Sequence, residues 1–229
     1  MKVSIIIPVF NEEQTIEELL NKVNKQRSAE NNLEVIVIDD CSTDSTVEIV
    51  QNNINLIDKF IKLEKNLGKG GAVLNGLEVS TGDYILFQDG DLEYSPNDYN
   101  KIFDVFRDLN ADVVIGSRFL APEYVRVHYF WHSIGNKFIT FLFNILFNTT
   151  FTDIYSCYLG FKRNLVDIKK IKQLGWSQQA EILSTIVKKG NVFYEVPISY
   201  SGRTYDEGKK IRARHALLVI ITILRKRLF

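Results

Sequence analysis

Two aspartates separated by one glycine, Asp89-Gly90-Asp91, follow directly after the apolar run 84–88. Helix-capping residues come soon afterwards, so the two carboxylates are expected at the carboxyl end of a strand. In an open α/β sheet such strand ends border the ligand crevice. Hard oxygen ligands are those that Mg²⁺ and Mn²⁺ prefer. The pattern therefore predicts a metal site that bridges the diphosphate of a nucleotide.

Three further polar clusters follow predicted strands in the same way. They are Asn11-Glu12, Asp39-Asp40 and Gly68-Lys69-Gly70-Gly71. Each cluster alone is explained as well by a turn or a helix cap, and the glycines suit a tight turn as much as a phosphate cradle. A parallel sheet would bring all of them to one edge, together with the paired aspartates. We therefore expect one shared site.

The elements that must position these clusters alternate between strand and helix through the first half of the chain. Predicted strands cover 3–10, 33–38, 60–63, 84–88 and 112–116. Between them, apolar residues recur at helical spacing, and Ser95-Pro96-Asn97-Asp98 resembles a capping box that opens a further helix. This alternation predicts an α/β fold with a mostly parallel, doubly wound sheet.

The second half breaks this rhythm. Its predicted elements are an amphiphilic helix over 129–151, a strand near 154–161, a helix near 179–188, a strand over 192–198 and a helix over 216–224. The polar segment 201–210 contains glycine and is predicted to be a mobile loop.

Composition and charge narrow the class of protein. The 229 residues are 45% hydrophobic and 24% charged, which is typical of one globular domain. The formal net charge is zero, so no general attraction to nucleic acid is expected. Cys41 and Cys157 lack a metal-ligand spacing and favour a reducing cytosol. No stretch approaches the roughly 20 apolar residues of a membrane-spanning helix, and the first strand lacks the features of a signal peptide.

Two common nucleotide-binding classes are excluded by their motifs. The first strand is followed by Asn11-Glu12-Glu13, whereas dinucleotide-binding folds place a G-x-G-x-x-G turn there. The G-x-x-x-x-G-K-[ST] pattern of a P-loop is absent as well.

Five segments form a joint pattern: 6–13 (IIPVFNEE), 37–44 (VIDDCSTD), 66–70 (NLGKG), 88–93 (QDGDLE) and 116–119 (GSRF). This pattern resembles family 2 glycosyltransferases with the GT-A fold, over nearly the whole chain. Two later segments, 195–200 (EVPISY) and 203–210 (RTYDEGKK), are similar to the dolichyl- or polyprenyl-phosphate mannose and glucose synthase branch.

The resemblance implies an α/β fold of GT-A type, a mostly parallel doubly wound sheet with an antiparallel acceptor-side extension. It also implies a single domain over 1–229. Within it we expect a nucleotide-sugar binding half 1–120, an acceptor half 121–200, a mobile loop 201–210 and a C-terminal amphiphilic helix 211–229.

By the same resemblance, the nucleotide pocket is lined by Pro8, Phe10, Asn11, Glu12, Asp40, Lys69, Asp89 and Gly90. Asp40 is implied to contact uracil or guanine, and Asp89 to lie near the ribose. Asp91 is implied to hold Mg²⁺ or Mn²⁺, with Asp89 or Glu93 assisting. Arg118 is implied to approach the phosphate side of the reaction.

The implied reaction moves a hexose, with inversion, from GDP-mannose or UDP-glucose. A cation at Asp91 would stabilise the charge that develops on the departing diphosphate. Lys69, Arg118, Arg203 and Lys209 can add donors to phosphate oxygens. We also expect 201–210 to act as a lid that closes Arg203 and Lys209 onto phosphate.

The acceptor is less constrained by the sequence. A polyprenyl phosphate is already mostly dianionic at pH 7 and needs cations rather than a base; the cations on offer are Arg126, Lys137, Arg203, Lys209, Lys210, Arg212 and Arg214. A saccharide or other hydroxyl acceptor needs a carboxylate base, for which Glu181 is the best candidate. Departures from the synthase branch at 157–160 and 176–181 fall in this half of the chain. A third hypothesis is a non-catalytic nucleotide-sugar binding or partner-recruiting protein.

Two apolar stretches concern binding to a membrane or to a second copy of the chain. Residues 138–147 and 216–224 are suited to docking on a membrane surface, the second with the basic residues 225–227 at its end. Core packing or a homo-oligomer interface would explain them equally well. The resulting expectation is a cytoplasmic protein in peripheral contact with the membrane, which does not cross it.

Overall fold

The computed structural model describes residues 1–120, 126, 129–188, 190–204 and 213–228. Its strands are β1 (Lys2–Val9), β2 (Asn32–Asp39), β3 (Lys59–Lys62), β4 (Tyr84–Phe87), β5 (Val113–Ser117), β6 (Leu159–Lys162) and β7 (Phe193–Pro197). Its α-helices are α1 (Ile16–Asn24), α2 (Thr46–Asn52), α3 (Lys69–Val79), α4 (Tyr99–Asp108), α5 (Phe130–Phe147), α6 (Gln178–Val187) and α7 (Ala213–Leu228).

Across this part of the chain, seven strands form one sheet in the order β3-β2-β1-β4-β6-β5-β7. β1 pairs in parallel with β2 and β4, and β2 pairs in parallel with β3. β6 runs antiparallel between β4 and β5, and β7 pairs in parallel with β5. The predicted mostly parallel sheet with an antiparallel extension is confirmed.

Sequence patterns account for the central elements. β1 and β2 are runs of buried β-branched residues, as expected of strands covered on both faces. α1 buries Ile16, Leu19, Leu20 and Val23 along one stripe. Gly76 of α3 lies so close to β1 that an added Cβ would stand 2.6 Å from the Ile6 side chain. Glycine therefore allows α3 to pack tightly on the sheet.

The antiparallel strand differs from its prediction. A strand near 154–161 was expected, but β6 covers only Leu159–Lys162. Before the expected strand, the backbone amides of Thr152 and Asp153 donate to the Glu195 carboxylate. Pro8 is the second-last residue of β1, near the strand end as its missing N–H requires.

α5 and α7 pack against each other and leave apolar side chains outside. α5 buries Ile139, Thr140 and Phe143, whereas Phe138 and Phe141 are more than half exposed. No helix within the described ranges is both long and apolar enough to span a bilayer. The predicted stretch 138–147 is therefore partly core and partly surface.

Candidate active site

The carboxyl ends of β1, β2 and β4 lie side by side. Val9 pairs with Asp39 across β1 and β2, and Ile6 pairs with Phe87 across β1 and β4. Residues that follow these strands line a cavity of about 1320 Å³. The predicted site residues in its lining are Pro8, Phe10, Glu12, Asp40, Lys69, Asp89, Gly90, Asp91, Glu93, Arg118 and Arg203. The structure thus brings together segments from distant parts of the chain.

Asn11 has a supporting place beside this cavity. Its backbone is left-handed, with a φ of 52°. Its side-chain carbonyl accepts a hydrogen bond from the Thr43 backbone amide at 2.8 Å, and its own backbone amide donates to the Ser42 hydroxyl. Asn11 is absent from the cavity lining, so its geometry favours holding the turn after β2 rather than contacting a nucleotide.

Asp40 lines the cavity directly after the end of β2. Its carboxylate accepts a hydrogen bond from the Leu67 backbone amide at 2.7 Å, and burial raises its pKa although this hydrogen bond opposes the shift. The buried acceptor beside the 66–68 turn is suited to a polar ring N–H. The contact of Asp40 with uracil or guanine stays a prediction.

The glycines before α3 make room for a neighbouring chain segment. An added Cβ on Gly70 would lie 2.6 Å from the Leu174 carbonyl carbon, and the Gly71 amide donates to the Leu174 carbonyl. Of the two interpretations left open for 68–71, the tight turn agrees with the positive φ of Gly68, 78°, and the phosphate cradle stays a prediction. Lys69 nevertheless lies in the cavity lining.

Lys69 and Asp89 form an ion pair in the cavity wall. Burial would lower the pKa of Lys69, but the neighbouring Asp89 carboxylate reverses this effect and raises it. The ammonium also lies 5.4 Å from the centre of the Trp176 ring, within the range of a cation–π contact. Lys69 is therefore held as a cation against the first aspartate of the pair.

Arg203 lies among three carboxylates from two segments. Its guanidinium donates to Asp91 Oδ2 at 2.8 Å and to Glu12 Oε2 at 3.1 Å, and its Nε is 3.6 Å from Glu93 Oε1. The Arg203 backbone amide and the Tyr200 hydroxyl also donate to Glu93. Burial, then repulsion from Asp89 and Glu93, raises the pKa of Asp91 although Arg203 opposes the shift. Negative charge is therefore concentrated at this point.

Arg118 is fixed by a second carboxylate. Its Nε and Nη2 donate to the two oxygens of Asp153 at 2.6 and 2.8 Å, and Asp153 is fully buried. The Arg118 guanidinium also lies 5.1 Å from the Tyr200 ring centre. A bidentate pair of this kind holds the guanidinium plane in one orientation at the cavity wall.

A family model described as "Glycosyl transferase family 2" matches residues 4–168 of the chain. The chain belongs to glycosyltransferase family 2. Its joint motif pattern, quoted above from 6–13 to 116–119, lies within the matched region, so the predicted resemblance to this family is confirmed.

Curated relatives in the family extend beyond the chain. It is 28% identical over 212 residues to a dolichol-phosphate mannosyltransferase of Pyrococcus furiosus, covering 91% of this chain and 59% of the relative. It is 44% identical over 95 residues to the poly(ribitol-phosphate) beta-N-acetylglucosaminyltransferase TarS of Staphylococcus aureus, covering 40% of this chain and 16% of the relative. The chain thus spans less than two thirds of either protein.

Solved structures show the same fold. A complex of glucosyl-3-phosphoglycerate synthase from Mycobacterium tuberculosis with Mn²⁺, UDP and phosphoglyceric acid gives a TM-score of 0.69 at 19% identity, covering 99% of this chain and 78% of that one. S. aureus TarS 1–349 with UDP-GlcNAc gives 0.66 at 20% identity, covering 99% and 66%. The fold of this glycosyltransferase family member is therefore shared with enzymes crystallised with nucleotides.

The carboxylates of this site can be compared with the ligands that the expected metal prefers. Asp89, Asp91 and Glu93 supply the carboxylate oxygens that Mg²⁺ and Mn²⁺ prefer. Among the residues that the structure describes, no three acidic, histidine or cysteine side chains are arranged to hold a metal ion, and Arg203 lies among these carboxylates instead. The donor chemistry fits a divalent cation, provided that the Arg203 guanidinium leaves Asp91.

Glu181 does not lie in the cavity, where a catalytic base is expected. It is almost fully buried rather than an exposed helix acid, and it is absent from the cavity lining. Its carboxylate accepts from the backbone amides of Lys172 and Gln173 and pairs with Lys226 of α7 at 2.8 Å. This geometry favours a structural role, joining α6 to α7.

The structure describes only some of the remaining predicted residues. Arg126 lines the cavity and donates to the Gly202 carbonyl. Residues 201–204 of the expected lid are described, whereas 205–210, with Lys209, and residues 211–212 lie outside the described ranges. The closure of the expected lid onto phosphate therefore stays a prediction. Of the two lid cations named for it, Arg203 and Lys209, the structure describes Arg203.

Sequence reasoning missed several residues of the site. Asp153 holds Arg118, and Tyr155, Cys157 and Trp176 line the cavity. One signal was available for Asp153, which is the only acidic residue of the sequence between Glu123 and Asp167. The three lining residues carry no such signal, since aromatic and cysteine side chains are equally common in a core.

Proposed function

We propose that this protein is a metal-dependent inverting glycosyltransferase that moves a hexose from a nucleotide-sugar, GDP-mannose or UDP-glucose, to a polyprenyl phosphate. The observation that carries the proposal is the set of charged groups that the cavity gathers. Among the described residues of its lining, the carboxylates are Glu12, Asp40, Asp89, Asp91 and Glu93, all from the first half of the chain. The cations are Lys69, Arg118, Arg126 and Arg203, of which Lys69 and Arg203 lie beside these carboxylates.

The donor side is expected to bind the nucleotide at Asp40 and the diphosphate near Asp89 and Asp91. Mg²⁺ or Mn²⁺, when bound by Asp91 with Asp89 or Glu93, supplies positive charge to the departing nucleoside diphosphate. The Mn²⁺ and UDP in the complex of glucosyl-3-phosphoglycerate synthase support this choice of ligands. Lys69 already faces Asp89, so its ammonium is placed to donate to a phosphate oxygen there.

The phosphate acceptor is favoured by the side chains on the acceptor side of the cavity. A hydroxyl acceptor must transfer its proton to a base in the transition state, most often a histidine or a carboxylate. Within the described lining, the acceptor side offers Arg126, Arg203 and His132 but no carboxylate, and Glu181 is engaged by Lys226. A phosphate monoester needs no base at pH 7, because its second pKa is about 6. The relative named dolichol-phosphate mannosyltransferase agrees with such an acceptor.

A lipid acceptor also requires contact with a bilayer, and one surface is suited to it. α5 exposes Phe130, Phe138, Phe141 and Ile145 along one face. α7, which packs on α5, exposes Leu217, Leu224 and Leu228, and its last turn exposes Arg225 and Arg227 on either side of Lys226, which is paired with Glu181. Apolar residues beside basic ones favour an interface with anionic headgroups. Because Phe130 also lines the cavity, a lipid phosphate held at this surface would be near the donor site.

A second candidate is transfer to a saccharide or other hydroxyl group. It is favoured by the higher local identity, 44% over 95 residues, to a poly(ribitol-phosphate) beta-N-acetylglucosaminyltransferase. This function needs a base, for which the described lining offers His132 and the donor-side carboxylates.

A panel of substrates tests these proposals. The purified protein with Mn²⁺ is incubated with GDP-mannose, UDP-glucose or UDP-GlcNAc, each with a short polyprenyl phosphate, the matching unphosphorylated polyprenol or a saccharide acceptor. We expect a glycosylated product from the polyprenyl phosphate and none from the polyprenol. Product from hydroxyl acceptors alone would overturn the lipid-phosphate assignment. No turnover with any pair, while nucleotide still binds, would support the non-catalytic hypothesis.

A further inference from the structure

Gln88 stands immediately before the paired aspartates and is fully buried. Its side-chain carbonyl accepts hydrogen bonds from the Tyr99 hydroxyl at 2.8 Å and the Tyr158 hydroxyl at 2.7 Å. Its amide nitrogen donates to the Asp89 carbonyl at 2.9 Å and to the Tyr94 carbonyl at 3.4 Å. One side chain thus satisfies all its hydrogen-bonding groups inside the protein.

The two carbonyls that Gln88 binds are the two ends of the segment 89–94. This segment contains every carboxylate of the proposed metal set, and it includes Leu92 in a left-handed conformation, with a φ of 60°. Such a conformation is unfavourable for leucine and persists only where surrounding contacts impose it. Gln88 provides two of those contacts from below the loop.

The orientation of the Gln88 amide is determined from both sides. Burial raises the pKa of Tyr99 and of Tyr158, so both hydroxyls stay protonated and can donate. If the amide rotated by half a turn, its carbonyl oxygen would face the carbonyls of Asp89 and Tyr94, which would leave three acceptors together. The tyrosines and the loop therefore select one orientation.

We propose that Gln88 is a positioning residue that sets the spacing of the Asp89, Asp91 and Glu93 carboxylates for a divalent cation. It has no contact with a reacting atom and acts through the backbone of the 89–94 loop. The proposal rests on the metal site of the proposed function. Removing a group that orients metal ligands typically weakens metal binding about 10- to 100-fold.

Mn²⁺ titration followed by electron paramagnetic resonance tests this role in the full chain. We expect Gln88→Met, which keeps the side-chain length and removes both polar groups, to bind Mn²⁺ at least about tenfold more weakly than the wild type. Leu20→Ala opens a gap in the core beneath α1 and serves as the control. It should lower thermal stability and leave the Mn²⁺ affinity unchanged. Wild-type affinity in folded Gln88→Met, or equal losses in both variants, would overturn the proposal.

A second variant covers the case in which Gln88→Met does not fold. Tyr99→Phe combined with Tyr158→Phe removes both donors to the Gln88 carbonyl and keeps the aromatic packing. Weakened Mn²⁺ binding by this double variant would support the positioning role, whereas unchanged binding would contradict it.

Hydrogen exchange separates this proposal from the metal assignment. If the wild type binds no Mn²⁺, the metal part of the proposed function fails, and the backbone amides of 90–94 decide the role of Gln88. Faster exchange at these amides in Gln88→Met or in the double tyrosine variant, but not in Leu20→Ala, supports loop positioning. Unchanged exchange would overturn it.

Discussion

The Arg203 guanidinium lies 2.8 Å from Asp91, the carboxylate proposed to hold the metal. Both side chains are largely buried in the cavity wall. An arginine and a divalent cation carry charge of the same sign and compete for the same oxygen atoms. Cation binding at Asp91 therefore requires the guanidinium to move away, which frees it for the diphosphate of a donor.

Arg203→Ala should strengthen Mn²⁺ binding in the absence of nucleotide, by about tenfold, which corresponds to about 1.4 kcal/mol. The reason is that the competing guanidinium is gone while the carboxylates remain. The same variant should transfer sugar more slowly, because it lacks a donor to the leaving group. Paramagnetic resonance titration and steady-state assays measure the two effects. Weaker Mn²⁺ binding by Arg203→Ala would contradict competition between the guanidinium and the cation. Arg27→Ala, far from the 89–94 loop in sequence, is the control.

Glu34 makes the stability of the fold depend on pH, and this effect does not involve the active site. Burial would raise its pKa, but hydrogen bonds led by Lys59, Ser4 and Thr81 outweigh it and lower the pKa from 4.5 to about 2. A carboxylate whose pKa is lower in the folded state than in the unfolded state stabilises the fold at pH values above its unfolded pKa. This contribution is lost as the pH falls towards 2. Glu34→Gln should therefore destabilise most at neutral pH, by about 1–3 kcal/mol.

Urea unfolding of the wild type and Glu34→Gln at pH 7 and pH 3 measures this effect. The difference in unfolding free energy between the two proteins should be smaller at pH 3. Glu48→Gln, at an exposed position of α2, should show little difference at either pH. A Glu34→Gln difference that does not change with pH would exclude the carboxylate charge as its cause.

Glu181→Gln should reduce stability more than catalysis. The Glu181 carboxylate is buried and pairs with Lys226 at 2.8 Å, and breaking a buried pair from one side costs on the order of 3 kcal/mol. Lys226→Met should cause a similar loss, and the double variant should lose less than the sum. Chemical unfolding and steady-state kinetics test this. A fall in kcat of about 100-fold or more at unchanged stability would identify Glu181 as a base instead.

The exposed face of α5 should control binding to lipid. Phe138→Ser combined with Phe141→Ser should reduce flotation with vesicles that contain anionic lipid, because two large apolar side chains are lost from the surface. Ile54→Ser, which alters an exposed apolar residue elsewhere, should float like the wild type. If no protein floats and the double variant changes from dimer to monomer in gel filtration, the face binds a second copy of the chain.

The sequence predicted the sheet and the gathering of carboxylates at its edge because both depend on local patterns. β-Branched runs marked β1 and β2, and polar residues followed each run, so the parallel topology was enough to bring Asp40, Asp89 and Asp91 together. The position of each carboxylate could be inferred from the strand before it.

Other features depend on pairs that are far apart in the chain. The sequence around each residue does not show that Glu181 pairs with Lys226 or that Arg118 donates to Asp153. The partners of an acid determine whether it acts as a base, and sequence spacing does not reveal them. For the same reason, the contact between Gly70 and the Leu174 backbone could not be foreseen from the glycines before α3.

The metal dependence of turnover tests the central claim, that carboxylates gathered at the strand ends hold a cation for a departing nucleoside diphosphate. Asp91→Asn keeps the side-chain shape and removes its charge, and Asp104→Asn on α4 is the control. With the donor and acceptor identified by the substrate panel, we expect Asp91→Asn to lose at least about 100-fold in Mn²⁺-dependent kcat/KM, with Asp104→Asn unchanged. Wild-type turnover and wild-type metal dependence in a folded Asp91→Asn variant would contradict the claim.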